Sequence, residues 1–173
     1  GTKMRIIFLD IDGVIATPDT LIAYKKIMWC IDPTKALMVK RLCEDTDAKL
    51  VISSSWKTLH TYHTFMDLMT AYGLDEYLFC DRTEAASESD EEWKQRLWKT
   101  PNGGKIRGEE IDQWIEEFKS RGYELDEWII LDDDSDFTQD QLKKHLIQTD
   151  GDIGFNYKDF YRARNELGYD NTE

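Results

Sequence analysis

The sequence predicts an α/β fold, a doubly wound, Rossmann-like parallel sheet with helices on both faces. Short apolar runs of strand length alternate with longer stretches whose apolar residues recur at helical spacing. Polar side chains follow three of these runs, where each predicted strand ends: Asp10 and Asp12, Ser53 and Ser54, Asp132 and Asp133. Ligands bind at the carboxyl ends of parallel strands, so these residues are expected to share one site.

The first predicted strand, residues 6–9, runs directly into Asp10, Asp12 and Gly13. Two carboxylates beside a buried strand are costly unless they are paired or bound to metal. Oxygen ligands on a tight loop suit Mg²⁺, which we therefore predict as the cofactor. Gly13 lets the backbone turn sharply away from the site. A solvated turn fits the strand placement less well, and a calcium loop would need a third ligand before its glycine.

The next elements follow from turn and cap residues. Residues 16–19 predict a turn, and Asp32 followed by Pro33 predicts a helix start, with aspartate as N-cap and proline in the first helical position. Residues 49–53 form the second predicted strand. Apolar residues at helical spacing then predict a helix that ends near Gly73.

Between the two halves of the chain, the alternation of apolar strand-length runs and helical stretches is interrupted. Residues 77–80 predict a third strand, and residues 81–104 are polar and acidic. We interpret this stretch as a small excursion, a minimal cap on a single domain of residues 3–170, because nothing after it resembles a separate fold. Trp93 and Trp98 within it are expected to pin the excursion to the domain or, like Trp56 after the second predicted strand, to stack on a base.

The last part of the chain alternates regularly. A helix is predicted around Ile111, closed by Gly122, and a strand at residues 128–131 follows it. Thr138 with Gln141 predicts a capping box at the start of the next helix. A strand at residues 146–148 and a terminal helix complete the predicted fold.

Composition limits the function classes. The 173-residue chain has a formal net charge of -13, which argues against extended binding to duplex nucleic acid. Three cysteines without a CxxC pair indicate neither a disulfide framework nor a zinc site. His60 and His63 lie one helical turn apart without a third ligand nearby, so we expect structural roles. The sequence has no apolar run of membrane-spanning length and no signal peptide, and we expect a cytoplasmic protein.

The segment Asp10-Ile11-Asp12-Gly13-Val14, behind its apolar strand, resembles motif I of the haloacid dehalogenase (HAD) superfamily of phosphotransferases. The segments VISSSW, RGEEIDQW, IILDD and QTDGDIGFNYKDF extend the resemblance to the small HAD phosphatase domains associated with Swiss-Army-knife RNA repair proteins. A P-loop reading of residues 102–105 fails, because a serine or threonine would have to follow Lys105.

The resemblance implies roles for the strand-end residues. Ser53, or Ser54 if the strand is one residue longer, would hold the substrate phosphate together with Gly13, although a turn or helix cap would also explain these serines. Lys105 or Arg107 would supply the cation that precedes the Ile111 helix and neutralises the phosphoryl group. Both alternatives remain open.

The metal site and the mechanism are implied in the same way. Asp10, the backbone carbonyl of Asp12, and one or both of Asp132 and Asp133 would hold Mg²⁺, with Asp133 preferred. Asp10 would attack phosphorus to form an aspartyl-phosphate. Asp12 would protonate the leaving oxygen and then deprotonate water.

The resemblance further implies a phosphate monoester on a nucleotide or on a nucleic-acid end as substrate, and no membrane partner. A small-metabolite phosphatase or phosphotransferase and a binding protein that holds Mg²⁺ or phosphate without turnover remain alternatives. The presence of both Asp10 and Asp12 counts against the binding protein. The oligomeric state is not predicted.

Overall fold

The computed structural model describes residues 3–26, 30–54, 56, 62–80 and 107–169. Within these ranges, four parallel strands form one sheet in the order β2-β1-β3-β4. The strands are β1 (Lys3–Leu9), β2 (Lys49–Ile52), β3 (Glu124–Asp132) and β4 (Leu146–Gln148). Leu9 pairs with Ile52 on one side and with Leu131 on the other. The carboxyl ends of β2, β1 and β3 therefore lie side by side at one end of the sheet.

Helices connect the strands and cover the sheet. The described helices are α1 (Pro18–Ala23), α2 (Pro33–Thr46), α3 (Tyr62–Ala71), α4 (Arg107–Ser120), α5 (Gln139–Lys144) and α6 (Tyr157–Glu166). The predicted cap of α2 is confirmed, since the side chain of Asp32 accepts from the backbone N–H groups of Thr34 and Lys35. The capping box of Thr138 and Gln141 is also present at the start of α5.

Alternating residues of β1 point to opposite faces of the sheet, and both faces are buried. Ile7 and Leu9 belong to a core that includes apolar residues of α2, α3 and α6, whereas Ile6 and Phe8 belong to a second core with residues of α4. This arrangement explains why β1 is apolar at consecutive positions. The predicted fold class, a doubly wound parallel α/β sheet with helices on both faces, is confirmed.

Three local predictions were wrong. Residues 77–80 are not a strand, because Glu76–Leu78 form a 3₁₀ helix and Phe79 makes only one isolated bridge, with Leu50. This leaves too few backbone hydrogen bonds for a ladder. Residues 16–19 are not wholly a turn, because Pro18 begins α1. The second strand ends at Ile52, so Ser53 lies just beyond it.

The single domain of residues 3–170 stays a prediction. The excursion at residues 81–104, with Trp93 and Trp98, lies outside the described residues, as does His60. Among the helices that the structure describes, none has the length and apolar character needed to cross a membrane.

Candidate active site

The sheet register brings the strand-end residues together. Backbone pairing continues one residue past the strands: Asp10 N–H donates to the carbonyl of Leu131 at 2.9 Å, and Ser53 N–H donates to the carbonyl of Leu9 at 2.8 Å. Asp10 therefore lies between Ser53 on one side and Asp132 on the other. The expectation that these strand ends form one site is met for all three.

A cluster of carboxylates lies at this edge. Asp10, Asp132 and Asp133 each offer an oxygen, and these oxygens all lie within 4.8 Å of one another. Asp10 and Asp132 are buried, with relative exposures of 6% and 0%, and Asp133 is half-buried. The pKa of Asp10 is raised to about 9, chiefly by burial and also by the charge of Asp132, while Arg107 acts in the opposite direction. We refer to these three residues as the carboxylate cluster.

Arg107 is the cation that faces the carboxylate cluster. Its Nη1 lies 2.8 Å from Oδ2 of Asp132 and 3.4 Å from Oδ1 of Asp10, and it also donates to the backbone carbonyl of Ser53 at 3.2 Å. One nitrogen thus contacts the ends of three strands. Arg107 is the first residue of α4 rather than a residue before the helix, as the sequence had suggested. Lys105, the alternative, lies outside the described residues.

The donor set fits a divalent hard cation. Three carboxylates face one guanidinium, so the fully ionised group carries an excess of two negative charges. Oxygen donors with this excess suit Mg²⁺. Both oxygens of Asp132 already accept hydrogen bonds, Oδ1 from the N–H of Asp134 and Oδ2 from Arg107. This arrangement favours Asp133 and Asp10 over Asp132 as direct ligands.

Two glycines make room for the Asp133 carboxylate. Gly13 has a φ of +79°, and a Cβ built on it would overlap the carboxylate of Asp133. A Cβ on Gly151 would lie 2.7 Å from Oδ2 of the same carboxylate. The Oγ1 of Thr149 donates to the Gly13 carbonyl at 2.7 Å and ties the two loops together. The predicted sharp turn at Gly13 is therefore present, and this turn also leaves room for the Asp133 carboxylate.

The two candidate phosphate-binding serines differ in their hydrogen bonds. Ser54 Oγ accepts from the N–H of Trp56 at 3.2 Å, which is the turn-forming role expected as the alternative to a phosphate contact. Ser53 is buried beside Asp10, and the described part of the chain offers no hydrogen-bond partner for its hydroxyl. The geometry therefore favours Ser53 over Ser54 as the phosphate contact.

Asp12 is set apart from the carboxylate cluster. Its side chain is exposed, and its Oδ2 accepts a hydrogen bond of 2.8 Å from Nε1 of Trp56. Trp56 itself is only 3% exposed, too little for the base stacking that its sequence position had suggested. The predicted use of the Asp12 backbone carbonyl as a metal ligand remains a prediction.

A cavity of about 500 Å³ opens beside Asp12. Asp12, Asp133 and Gly151 line it on the side of the carboxylate cluster. Ala16, Pro18 and Leu21 line it from α1 and the loop before it, and Trp56 and Cys30 contribute further surface. The cavity is therefore largely apolar, with carboxylates at the side facing the cluster, and its size suits a small organic ligand.

A family model described as the HAD domain in Swiss Army Knife RNA repair proteins matches residues 6–160. The match covers most of β1 and all residues of the carboxylate cluster, and it ends within the first half of α6. The chain belongs to this HAD family. Comparison with curated proteins and with solved structures gives no significant match. Membership in the family suggests a phosphatase-type function, and it leaves the substrate to be proposed.

The sequence did not predict the positions of three residues that line or support this candidate site. Thr149 and Gly151 follow β4, so the strand-end rule that selected Asp10, Ser53 and Asp132 would have selected them too. Trp56 was considered only as a stacking residue. No local pattern predicts its bond to Asp12, because the two residues lie 44 positions apart.

Proposed function

We propose that this HAD domain is a Mg²⁺-dependent phosphomonoesterase that acts through an aspartyl-phosphate. The observation that carries the proposal is the carboxylate cluster, in which one nitrogen of Arg107 contacts Asp10 and Asp132. The hydroxyl of Ser53 lies beside it and has no hydrogen-bond partner among the described residues. This arrangement combines a nucleophile, a cation and a hydrogen-bond donor for phosphate within a single strand-end site. Its chemistry suits transfer of a phosphoryl group to a carboxylate.

Different residues of the chain bind the phosphoryl group and Mg²⁺. The Ser53 hydroxyl and the Arg107 guanidinium bind phosphoryl oxygens, with Gly13 and Ser54 at the same strand ends as further candidates. Asp10, Asp133 and Asp132 are the residues that would hold Mg²⁺, together with the carbonyl of Asp12. When bound, Mg²⁺ offsets the repulsion between the Asp10 carboxylate and the anionic phosphate and favours the ionised form of Asp10.

Two carboxylates carry the covalent chemistry. A carboxylate oxygen of Asp10 forms a bond to phosphorus as the bond from phosphorus to the leaving oxygen breaks. Asp12 gives a proton to that leaving oxygen, which departs as an alcohol. Asp12 then takes a proton from a water molecule that attacks the aspartyl-phosphate, and inorganic phosphate and free Asp10 are produced. Asp12 suits this role because its side chain is exposed at the cavity rather than held inside the cluster.

The proposed substrate is a nucleotide or the terminal phosphate of a nucleic acid. The family to which the chain belongs is named for RNA repair proteins. The cavity beside Asp12 has room for a leaving group of nucleoside size. The net charge of -13 disfavours contacts along an extended phosphate backbone, so one nucleotide or a chain end fits better than a duplex.

Phosphate release from a substrate panel tests this proposal. The panel contains nucleoside 3′- and 5′-monophosphates, 3′- and 5′-phosphorylated oligonucleotides, sugar phosphates and p-nitrophenyl phosphate, each with Mg²⁺ or with chelator. We expect turnover that requires Mg²⁺ and is lost in Asp10→Asn. The control Asp126→Asn removes one carboxylate near the amino end of β3, far from the site, and should remain active.

The outcomes separate the alternatives. Preference for a nucleotide or an oligonucleotide end would support the proposed substrate class, and preference for a sugar phosphate would replace it with a metabolite phosphatase. Faster phosphoryl transfer to an added alcohol than to water would indicate a phosphotransferase. A folded protein that binds Mg²⁺ and is inactive on the whole panel would contradict the proposal and favour a binding protein.

A further inference from the structure

Trp56 is buried, yet it donates its indole N–H to a carboxylate that faces solvent. Nε1 of Trp56 lies 2.8 Å from Oδ2 of Asp12, and the ring of Trp56 is part of the core that also contains Leu9 and Ile52. The backbone N–H of Trp56 donates to Ser54 Oγ, which fixes the start of this segment close to β2. The indole N–H of Trp56 is therefore held in place by the packing of its ring in the core and by the backbone hydrogen bond to Ser54.

An exposed aspartate without such a donor samples several rotamers, and each rotamer moves the carboxylate by a few ångströms. General acid catalysis requires the acid within hydrogen-bond distance of the leaving oxygen. A single bond from a buried donor selects one position for the carboxylate, at the border of the cavity that Asp12 and Trp56 both line.

We propose that Trp56 is a positioning residue that holds Asp12 at the cavity, where the leaving group of the substrate lies. This inference rests on the proposed phosphatase function. It adds that the efficiency of proton delivery to the leaving oxygen depends on an indole N–H supplied from the segment after β2. The leaving group is then the part of the substrate inside the cavity, and the phosphoryl group lies at the carboxylate cluster.

If Trp56 positions Asp12, the effect of losing Trp56 on kcat/KM should depend on the leaving group of the substrate. A nitrophenolate is a weak base and departs without a proton, whereas an alkoxide such as the ribose oxygen of a nucleotide needs one. The value of kcat/KM covers all steps up to the departure of the leaving group, so it reports this proton transfer. A change that misplaces Asp12 lowers kcat/KM for an alkyl phosphate more than for p-nitrophenyl phosphate.

Trp56→Phe is the test variant, because it keeps an aromatic ring in the core and removes the N–H donor, with some loss of ring volume that the control below shares. We expect the ratio of kcat/KM for the best alkyl phosphate to kcat/KM for p-nitrophenyl phosphate to fall about tenfold, part of the contribution of a general acid. A partial loss of folded protein lowers both values equally and cancels in the ratio. Trp128→Phe, a matched change in the middle of β3, should leave the ratio unchanged.

The fall in the kcat/KM ratio in Trp56→Phe should also require the side chain of Asp12. In an Asp12→Ala background, Trp56→Phe is expected to leave the ratio unaltered, because there is no carboxylate to position. An equal fall for both substrates in Trp56→Phe, or an undiminished fall in the Asp12→Ala background, would overturn the proposal.

A spectroscopic readout does not need turnover. In a ¹H–¹⁵N spectrum, Trp56→Phe identifies the indole signal of Trp56 by its disappearance. Asp12→Ala should then shift that signal more than any other indole signal. If the wild-type protein has no activity but the Trp56 indole signal shifts in Asp12→Ala, the proposed phosphatase function is wrong, whereas the hydrogen bond between Trp56 and Asp12 is supported. If the signal does not respond to Asp12→Ala, the positioning role is refuted whatever the activity.

Discussion

The carboxylate of Asp133 is packed against the backbone of Gly151, so closely that a Cβ at position 151 would lie 2.7 Å from Oδ2 of Asp133. No real side chain tolerates that distance without a shift, and the shift would fall on a proposed metal ligand. Gly13 bounds the same carboxylate from the other loop. The Asp133 carboxylate can therefore occupy this position only because residues 13 and 151 are both glycines and have no side chain.

Gly151→Ala is expected to weaken Mg²⁺ binding by about 10- to 100-fold, the usual cost of disturbing the surroundings of a metal ligand. Calorimetric titration with Mg²⁺ measures the change. Gly122→Ala is the control, because Gly122 has a φ of +91° but nothing within 4 Å of its Cβ position. It should cost about 1 kcal/mol of stability and leave the Mg²⁺ affinity unchanged. Unaltered affinity in Gly151→Ala would exclude Asp133 as a tightly held ligand.

Arg107→Met should lower the free energy of unfolding by about 3–5 kcal/mol, because it leaves the fully buried Asp132 without its charged partner. Arg107→Lys keeps the charge without the planar fork, so its loss should be smaller. Urea denaturation measures both. Arg41→Met is the control, since Arg41 pairs with Asp45 while 70% exposed, and its loss should stay below about 1 kcal/mol. Similar losses for Arg107→Met and Arg41→Met would contradict the central position of Arg107.

Gly108→Ala should displace the first turn of α4 and Arg107 with it. A Cβ on Gly108 would lie 2.8 Å from the Cα of Phe137 and from the backbone nitrogen of Thr138, and closer still to Gln141. Backbone atoms cannot yield cheaply, so we expect a loss of about 1–3 kcal/mol of stability and reduced activity. Denaturation and phosphate release would be measured together. Full activity in this variant would show that α4 tolerates the shift and that Arg107 is not held by this contact.

Asp10→Asn should stabilise the metal-free protein, and the gain should grow with pH. Burial raises the pKa of Asp10 from 3.8 to about 9, so the folded state retains a proton that the unfolded state has lost. The contribution of Asp10 to stability is present below about pH 4 and is lost as pH rises through about 9. Relative to wild type in chelator, the variant should therefore gain about 1–4 kcal/mol at the alkaline end.

Denaturation curves at several pH values, with chelator and with Mg²⁺, check this prediction. Mg²⁺ should stabilise wild type by about 2.7 kcal/mol at a concentration a hundredfold above its dissociation constant, and should stabilise Asp10→Asn less. Asp126→Asn, an exposed carboxylate paired with Arg5, should show no such dependence. A pH-independent difference between wild type and Asp10→Asn would mean that Asp10 is already ionised without metal.

The strand-end rule was the strongest predictor of the site. Asp10 and Ser53 follow parallel strands and Asp132 ends one. Neighbouring strands of a parallel sheet have their carboxyl ends on the same side, so the sequence pattern predicts that these three residues lie close together. The same reasoning could not rank Asp132 against Asp133. That ranking depends on Arg107, which reaches Asp132 from a helix 25 residues earlier in the chain.

Other features depend on three-dimensional packing that no pattern reveals. The bond from Trp56 to Asp12 and the space that Gly151 leaves for Asp133 join residues distant in sequence. Residues 77–80 were misassigned because an apolar tetrapeptide fits a strand and a buried 3₁₀ turn equally well, and only the available backbone partners decide between them.

Transfer of a labelled phosphoryl group to Asp10 tests the central claim most directly. The protein would be mixed with substrate labelled in the phosphoryl group and Mg²⁺, quenched in acid during turnover, digested and mapped by mass spectrometry. The account predicts a hydroxylamine-labile acyl phosphate on Asp10, absent from Asp10→Asn and absent without Mg²⁺. Label on another residue, or turnover with no label on the protein under conditions that trap acyl phosphates, would contradict it.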